Sequence, residues 1–342
     1  MPISAKHVWI FLACILVAVI ATAATALSGM LRMPGKSFSA PLPQVTSMQA
    51  DLAERMRRHV TSIASVEHNT RTPDKLDEAA RYIETMLASA HYTVQQQRYV
   101  ARGHHVRNIE VSISNAAPGK APARIFIIGA HYDSAPGAPG ANDNGSGTAA
   151  VIELARLLKD TPLAEGTEVK FVFFVNEEPP YFNTGDMGSR RHAERLRRQG
   201  LNVEAALIVE TIGYYSDEKG SQQYPPGIGA AFPDAGNFIA FVGTLESAEL
   251  IRRTLGAFRS STQFPSEGLA APAFVEGVTF SDHSSYARAG YPALMITDTA
   301  FLRYPYYHTA QDTPDKLDYE NMARVVTGLS KAIQMMVGSK ST

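Results

Sequence analysis

The sequence predicts an α/β sandwich built on a largely parallel sheet. Two observations carry that prediction. Short, strongly apolar runs alternate along the chain with segments of helical periodicity, and those runs are apolar at consecutive positions, as strands covered on both faces are. About 290 residues follow the N-terminal segment of this 342-residue chain, enough for one large domain with a substantial core.

Taken in order, residues 1–7 read as a short tail. Residues 8–27 are uncharged and apolar, and at about 1.5 Å per residue a helix of that length crosses a bilayer core of about 30 Å. The stretch is read as a transmembrane anchor. Ala-Thr-Ala at 21–23 and again at 24–26 leaves a cleavable signal segment as the alternative. Either way the bulk of the chain is expected on the extracytoplasmic side, membrane-anchored if the segment stays and secreted if it is cleaved. Residues 28–48, rich in Pro, Ser and Gly, read as a linker, and residues 49–342 as the folded domain.

Within that domain, helices are expected over 49–66 and 73–90, the second with Thr72 as N-cap and Pro73 at its first position. Strands are expected over 93–100, 108–114 and 124–129, then a helix over 145–159 and a strand over 169–175. A basic-faced helix over 187–199 and a strand over 205–211 follow. After them come helices over 247–258 and 282–289, a strand over 293–297 and a terminal helix over 319–337. The Gly-, Pro- and Tyr-rich stretch 214–237 lacks periodicity and reads either as a loop over the site or as a mobile excursion.

The composition is that of an ordinary globular protein, 45% hydrophobic and 19% charged, and a net charge of -1 gives no basic excess for nucleic acid. The single cysteine, Cys14, lies in the N-terminal segment. No thiol is left in the domain for a disulfide, a nucleophile or a metal ligand. Any metal must be held by His, Asp and Glu.

Five points where strands end or loops begin carry such residues. The run Phe171-Val172-Phe173-Phe174-Val175-Asn176 ends in Glu177-Glu178. Two carboxylates delivered to the edge of an apolar sheet lose water, so a cation is their natural partner. His131 ends another apolar run, with Asp133 two residues on, placed to take the second ring N–H and fix the tautomer. Asp143 stands in the glycine-rich loop Gly140-Ala141-Asn142-Asp143-Asn144-Gly145-Ser146-Gly147, Glu210 at the end of Leu207-Ile208-Val209, and His308 after an aromatic run. Singly, each has a bland alternative: a turn aspartate, a solvated Glu-Glu turn, a packed histidine. His104-His105 reads as a solvated surface feature.

Together these residues and the phrases around them resemble the zinc-dependent aminopeptidase family M28, over residues from about 50 to 337. GAHYDS, GANDNGSG, the Asn-Glu-Glu strand end, SDHSSYARAGYPA and YHTAQDTPDKLDY carry the resemblance. It implies a three-layer α/β fold with a central mixed sheet of the zinc-exopeptidase kind, and two zinc ions. Asp143 would bridge them, His131 and Glu210 would complete one ion's protein ligands, and Glu178 with His308 the other's. Glu177 would act as general acid/base on a water activated by the two ions. The implied substrate is a peptide with a free N-terminus. Glu210 departs from the aspartate many relatives carry there, and Pro179-Pro180 replaces a more flexible stretch. Ser281 is expected to cap the helix over 282–289 and Asp282 to hydrogen-bond behind the ligands. Two readings stand beside the aminopeptidase: a single-zinc glutaminyl cyclase, and an inactive membrane-tethered binding ectodomain.

Overall fold

The structure, a computed structural model, describes residues 7, 9, 11–12, 14–17 and 28–338. A mixed eight-stranded sheet with helices on both faces bears out the expected fold. The strands are β1 (Gln95–Ala101), β2 (His104–Ser114), β3 (Arg124–His131), β4 (Thr167–Phe174), β5 (Val203–Val209), β6 (Ile239–Thr244), β7 (Ser266–Ala271) and β8 (Ala293–Thr297). Their order is β1-β2-β4-β3-β5-β8-β6-β7. The centre, β4-β3-β5-β8, is parallel. β1, β2 and the β6–β8 contact are antiparallel, and β7 runs parallel to β6.

Alternation along the strands builds two apolar layers. Phe126, Ile128 and Ala130 of β3 face one side, where they join the core under α1 (Ser47–Ile63), α2 (Pro73–Ser89), α3 (Gly147–Leu158), α5 (Ala248–Ser261) and α7 (Tyr319–Val337). Ile125 and Ile127 face the other, against α4 (Gly188–Arg198) and α6 (His283–Arg288). The chain leaves β3 for β4 on one flank and returns to β5 on the other. Loops after β3 and β5 therefore diverge at the carboxyl ends of adjacent strands, where open α/β sheets hold ligands.

Three local expectations are corrected. No helix among the described residues is long and apolar enough to cross a membrane, which takes about 20 consecutive apolar residues. Of the stretch read as an anchor, only Trp9, Phe11, Leu12 and residues 14–17 are described, the rest lying outside the described residues. The anchor and the extracytoplasmic placement built on it are withdrawn. Thr72 precedes α2, but its hydroxyl donates to Glu67 O at 2.9 Å and makes no cap bond. Strands β6 and β7 were not among those expected.

The segment read as a linker lies against α5 and β7. Arg252 donates to the carbonyls of Gly29 and Arg32, Arg259 donates to that of Pro34, and Ser266 N–H donates to Ser37 Oγ at 2.9 Å. The excursion 214–237 is likewise tied down. Buried Arg303 donates to Gln222 Oε1 at 2.8 Å and to Phe238 O at 2.8 Å. It is a fixed loop bordering the site.

Candidate metal centre

Three parallel strands deliver the acidic and imidazole groups. β3 ends on His131, whose Nδ1 lies 3.0 Å from the carbonyl oxygen of Asp133. A carbonyl can only accept, so Nδ1 carries the hydrogen and Nε2 points its lone pair into the site. β4 ends at Phe174. Two residues later Asn176 adopts a left-handed backbone, φ 63°, which interrupts the pleat so that Glu177 and Glu178 both turn toward the same space. β5 ends at Val209, and Glu210 follows, its N–H bonded to Ile296 O of β8 at 2.9 Å.

Asp143 comes from the loop between β3 and α3. Gly140 makes its tight turn with φ 75°, and at Gly147 a Cβ would lie 2.2 Å from Asn144 Oδ1. The close approach lets Asn144 anchor the loop. Its amide donates to Val209 O at 2.9 Å and accepts from Thr211 N–H at 3.1 Å, stitching the loop to the end of β5. His308 arrives from the turn after β8, stacked on Tyr307 with ring centroids 3.9 Å apart.

These six side chains converge. His131 Nε2 lies 3.2 Å from Asp143 Oδ1, 3.4 Å from Glu210 Oε2 and 4.0 Å from Glu177 Oε2. His308 Nε2 lies 2.9 Å from Asp143 Oδ2 and 3.2 Å from Glu178 Oε1. The two oxygens of Asp143 thus face different imidazoles. Two three-donor groups share that residue: His131, Asp143 and Glu210, and Asp143, Glu178 and His308. A third, His131, Glu177 and Glu178, overlaps both. All are buried except His308, whose side chain is 33% exposed, so the cluster opens on that side.

Burial and mutual repulsion set the charge states. Burial pushes the Glu177 carboxyl well above the usual range, and Glu178, Asp282 and Glu210 add to it against the pull of His131. Glu178 rises to about 8, through burial and then the charge of Asp143. Burial opposes protonation of His308, yet Asp143 and Glu178 raise it to about 10. Buried His131 Nε2 and Glu178 Oε1 have no hydrogen-bond partner. Excess negative charge around unpartnered ligand atoms suits the cluster to hold a cation.

The supporting contacts differ in part from those expected. Asp133 stands behind the site, but its carboxylate accepts the N–H groups of Glu177 at 3.1 Å and Glu178 at 3.2 Å, leaving the His131 ring to its own carbonyl. Ser281 donates to Glu210 Oε2 at 2.6 Å and makes no cap bond to α6. Buried Asp282 has neither oxygen hydrogen-bonded, and burial raises its carboxyl to about 7. His283 is packed inside, its Nε2 2.8 Å from Val278 O.

Residues 108–333 match the model of peptidase family M28. The chain belongs to this family. Among M28-like relatives, it is 39% identical to the uncharacterized protein YfbL of Escherichia coli K12, over 78% of this chain and 81% of that one. It is 26% identical to leucine aminopeptidase 1 of Arthroderma otae, over 83% and 75% of the two chains. In fold it resembles the LapA aminopeptidase of Legionella pneumophila, with TM-score 0.62, 18% identity and coverage of 88% and 78%. It resembles a glutaminyl cyclase of Fimbriiglobus ruber equally well, with TM-score 0.61, 19% identity and coverage of 89% and 99%. Structures named for two different chemistries thus resemble this fold, and the site must discriminate.

Three working residues in this M28 chain were given no role from sequence. Asp312 accepts from Asn142 N at 2.8 Å and Asp143 N at 3.2 Å, holding the loop that carries Asp143. Asn144 anchors that loop as described. Asp298 accepts from Asn142 Nδ2 at 2.9 Å and from Thr211 Oγ1 at 2.7 Å. Asn144 and Asp312 lie inside phrases that carry the family resemblance, and that was their only signal.

Proposed function

We propose that this M28 hydrolase is a zinc-dependent aminopeptidase that removes N-terminal residues from peptides, with two ions held on either side of Asp143. The placement of Asp143 carries the reading, with one oxygen toward His131 and Glu210 and the other toward His308 and Glu178. The donors suit zinc: one imidazole and two carboxylates on each side, and no soft ligand. Glu210 reaches the group in spite of its extra methylene, its Oε2 fixed by Ser281. When bound, zinc supplies Lewis acidity toward the attacking water and the scissile carbonyl.

The remaining chemistry falls to Glu177. Its carboxylate takes the proton of the attacking water as the oxygen bonds to the carbonyl carbon, and returns it to the amine nitrogen as the C–N bond breaks. Asp133 fixes its backbone, so the carboxylate works from a rigid support. The leucine aminopeptidase relatives support a substrate that arrives with a free amine.

Zinc per chain, measured together with hydrolysis of free and N-acetylated aminoacyl amides, tests this. The expected result is close to two zincs and cleavage of free-amine substrates alone. One zinc, no hydrolysis and cyclisation of N-terminal glutamine would replace the peptidase by a cyclase.

A further inference from the structure

A cavity of about 360 Å³ opens from the carboxylate cluster and runs across the sheet. Its floor is made by Met295 and Thr297 of β8, Ala240 and Val242 of β6, and Glu267 and Leu269 of β7. Strand register orders that floor. Thr297 pairs with Ala240, and Ala240 with Glu267. Val209 pairs with Ile296, so Glu210 continues the same row from β5. Two carboxylates therefore end one row three strands apart, about 14 Å at the usual strand spacing. Between them lie only the small side chains of Thr297 and Ala240.

The far end is built for more than an apolar group. Tyr224 and Phe232, both lining the cavity, stack on each other with centroids 5.7 Å apart and planes at 19°. Glu267 lines the same cavity as this aromatic pair. Glu267 is itself only partly compensated. Arg259 Nη2 stays 3.6 Å from Glu267 Oε2, beyond hydrogen-bond reach, and its guanidinium is spent on Ser266 and Pro34 carbonyls. Among the described residues, no Lys or Arg lines the cavity. Two divalent ions would balance the four carboxylates of the cluster, which leaves the exposed Glu276 and the partly compensated Glu267 as the other carboxylates of the cavity.

We propose that this cavity receives the side chain of an N-terminal arginine or lysine, its methylenes lying along Thr297 and Ala240 and its cationic tip meeting Glu267 beneath the Tyr224–Phe232 pair. The proposal rests on the aminopeptidase reading for the position of the substrate amine. An extended arginine or lysine side chain spans about 6–7 Å from Cα to its charge, and with contact distances at both ends it fills the row. A leucine side chain ends over the middle of the floor. Methylenes on apolar surface, a cation over aromatic faces and a carboxylate at the tip are the complements of such a chain.

Calorimetric titration of the zinc-loaded protein with L-arginine against its neutral isostere L-citrulline, and L-lysine against L-norleucine, isolates the tip without requiring turnover. About ten-fold tighter binding of the charged member of each pair is expected, lost in Glu267→Gln. In turnover, Glu267→Gln lowers kcat/KM for arginyl amide about ten-fold more than for leucyl amide. Leucyl amide cleavage with equal binding of arginine and citrulline overturns the proposal and leaves the peptidase standing. Preferential arginine binding through Glu267 without cleavage of any free-amine substrate does the reverse.

Discussion

Glu177 and Glu178 are neighbours with different surroundings, and the proposed division of work between them follows that difference. Glu178 Oε1 is 3.2 Å from His308 Nε2, inside a three-donor group with Asp143. Glu177 stands further from His131, at 4.0 Å, than either Asp143 or Glu210 does. Glu177→Gln is therefore expected to keep zinc content near that of the wild type while kcat falls by about 10²- to 10⁴-fold, since shape is retained and proton transfer is lost. Full activity in that variant would move the acid/base role elsewhere. His308→Ala removes a donor from the exposed side and should lower metal content and activity together. Metal analysis beside turnover separates the two variants.

Elements repeat the lesson that a polar side chain must be judged with its partners. Glu153 of α3 is buried, and it accepts from Arg55 at 3.1 Å and Arg156 at 2.8 Å and meets His59 Nε2 at 3.0 Å, joining α3 to α1. Burial would raise its carboxyl, but His59, Arg156 and Arg55 hold it down at about 2 against an ordinary 4.5. A depressed carboxyl stabilises above its unfolded value and loses that contribution as the pH falls toward the folded value. Unfolding free energy should therefore drop between pH 4.5 and about 2. Glu153→Gln should flatten that limb, as urea titrations at pH 6 and pH 3 would measure. The helices and central strands were legible because periodicity and apolar runs are local properties. β7, Ser-Glu-Gly-Leu-Ala-Ala, is not legible that way, for its small residues and one acid have weak strand preference and are held by pairing with β6. The expected site residues converge, but Asp312 and Asp298 were given no role because their partners at 142–143 lie more than 150 residues away in sequence. Asp133 was sensed as a supporting carboxylate. Which groups it supports depended on how β4 ends beside β3.

At the scale of the whole molecule, the centre joins β3, β4, β5 and the turn after β8, so metal bound there should act as a tertiary cross-link. Four buried carboxylates, Asp143, Glu177, Glu178 and Glu210, repel one another without a cation. Stripping metal with a chelator should lower Tm, and zinc restored at a thousand times its Kd should return about 4 kcal/mol, read by calorimetry. An unchanged Tm would mean that the cluster holds no ion tightly. The two borders of the sheet are protected by different means. β1, Gln-Gln-Gln-Arg-Tyr-Val-Ala, is a polar border that discourages pairing with a stranger. β7 has no such defence in its own sequence. Its outer border is met by residues 33–37, with Ser37 taking the Ser266 N–H and Met33 seated beneath Gly268. Chains trimmed beyond that strap would bring every site residue and still present a bare strand to their neighbours, and their failure would be self-association into oligomers while the chemistry remained intact.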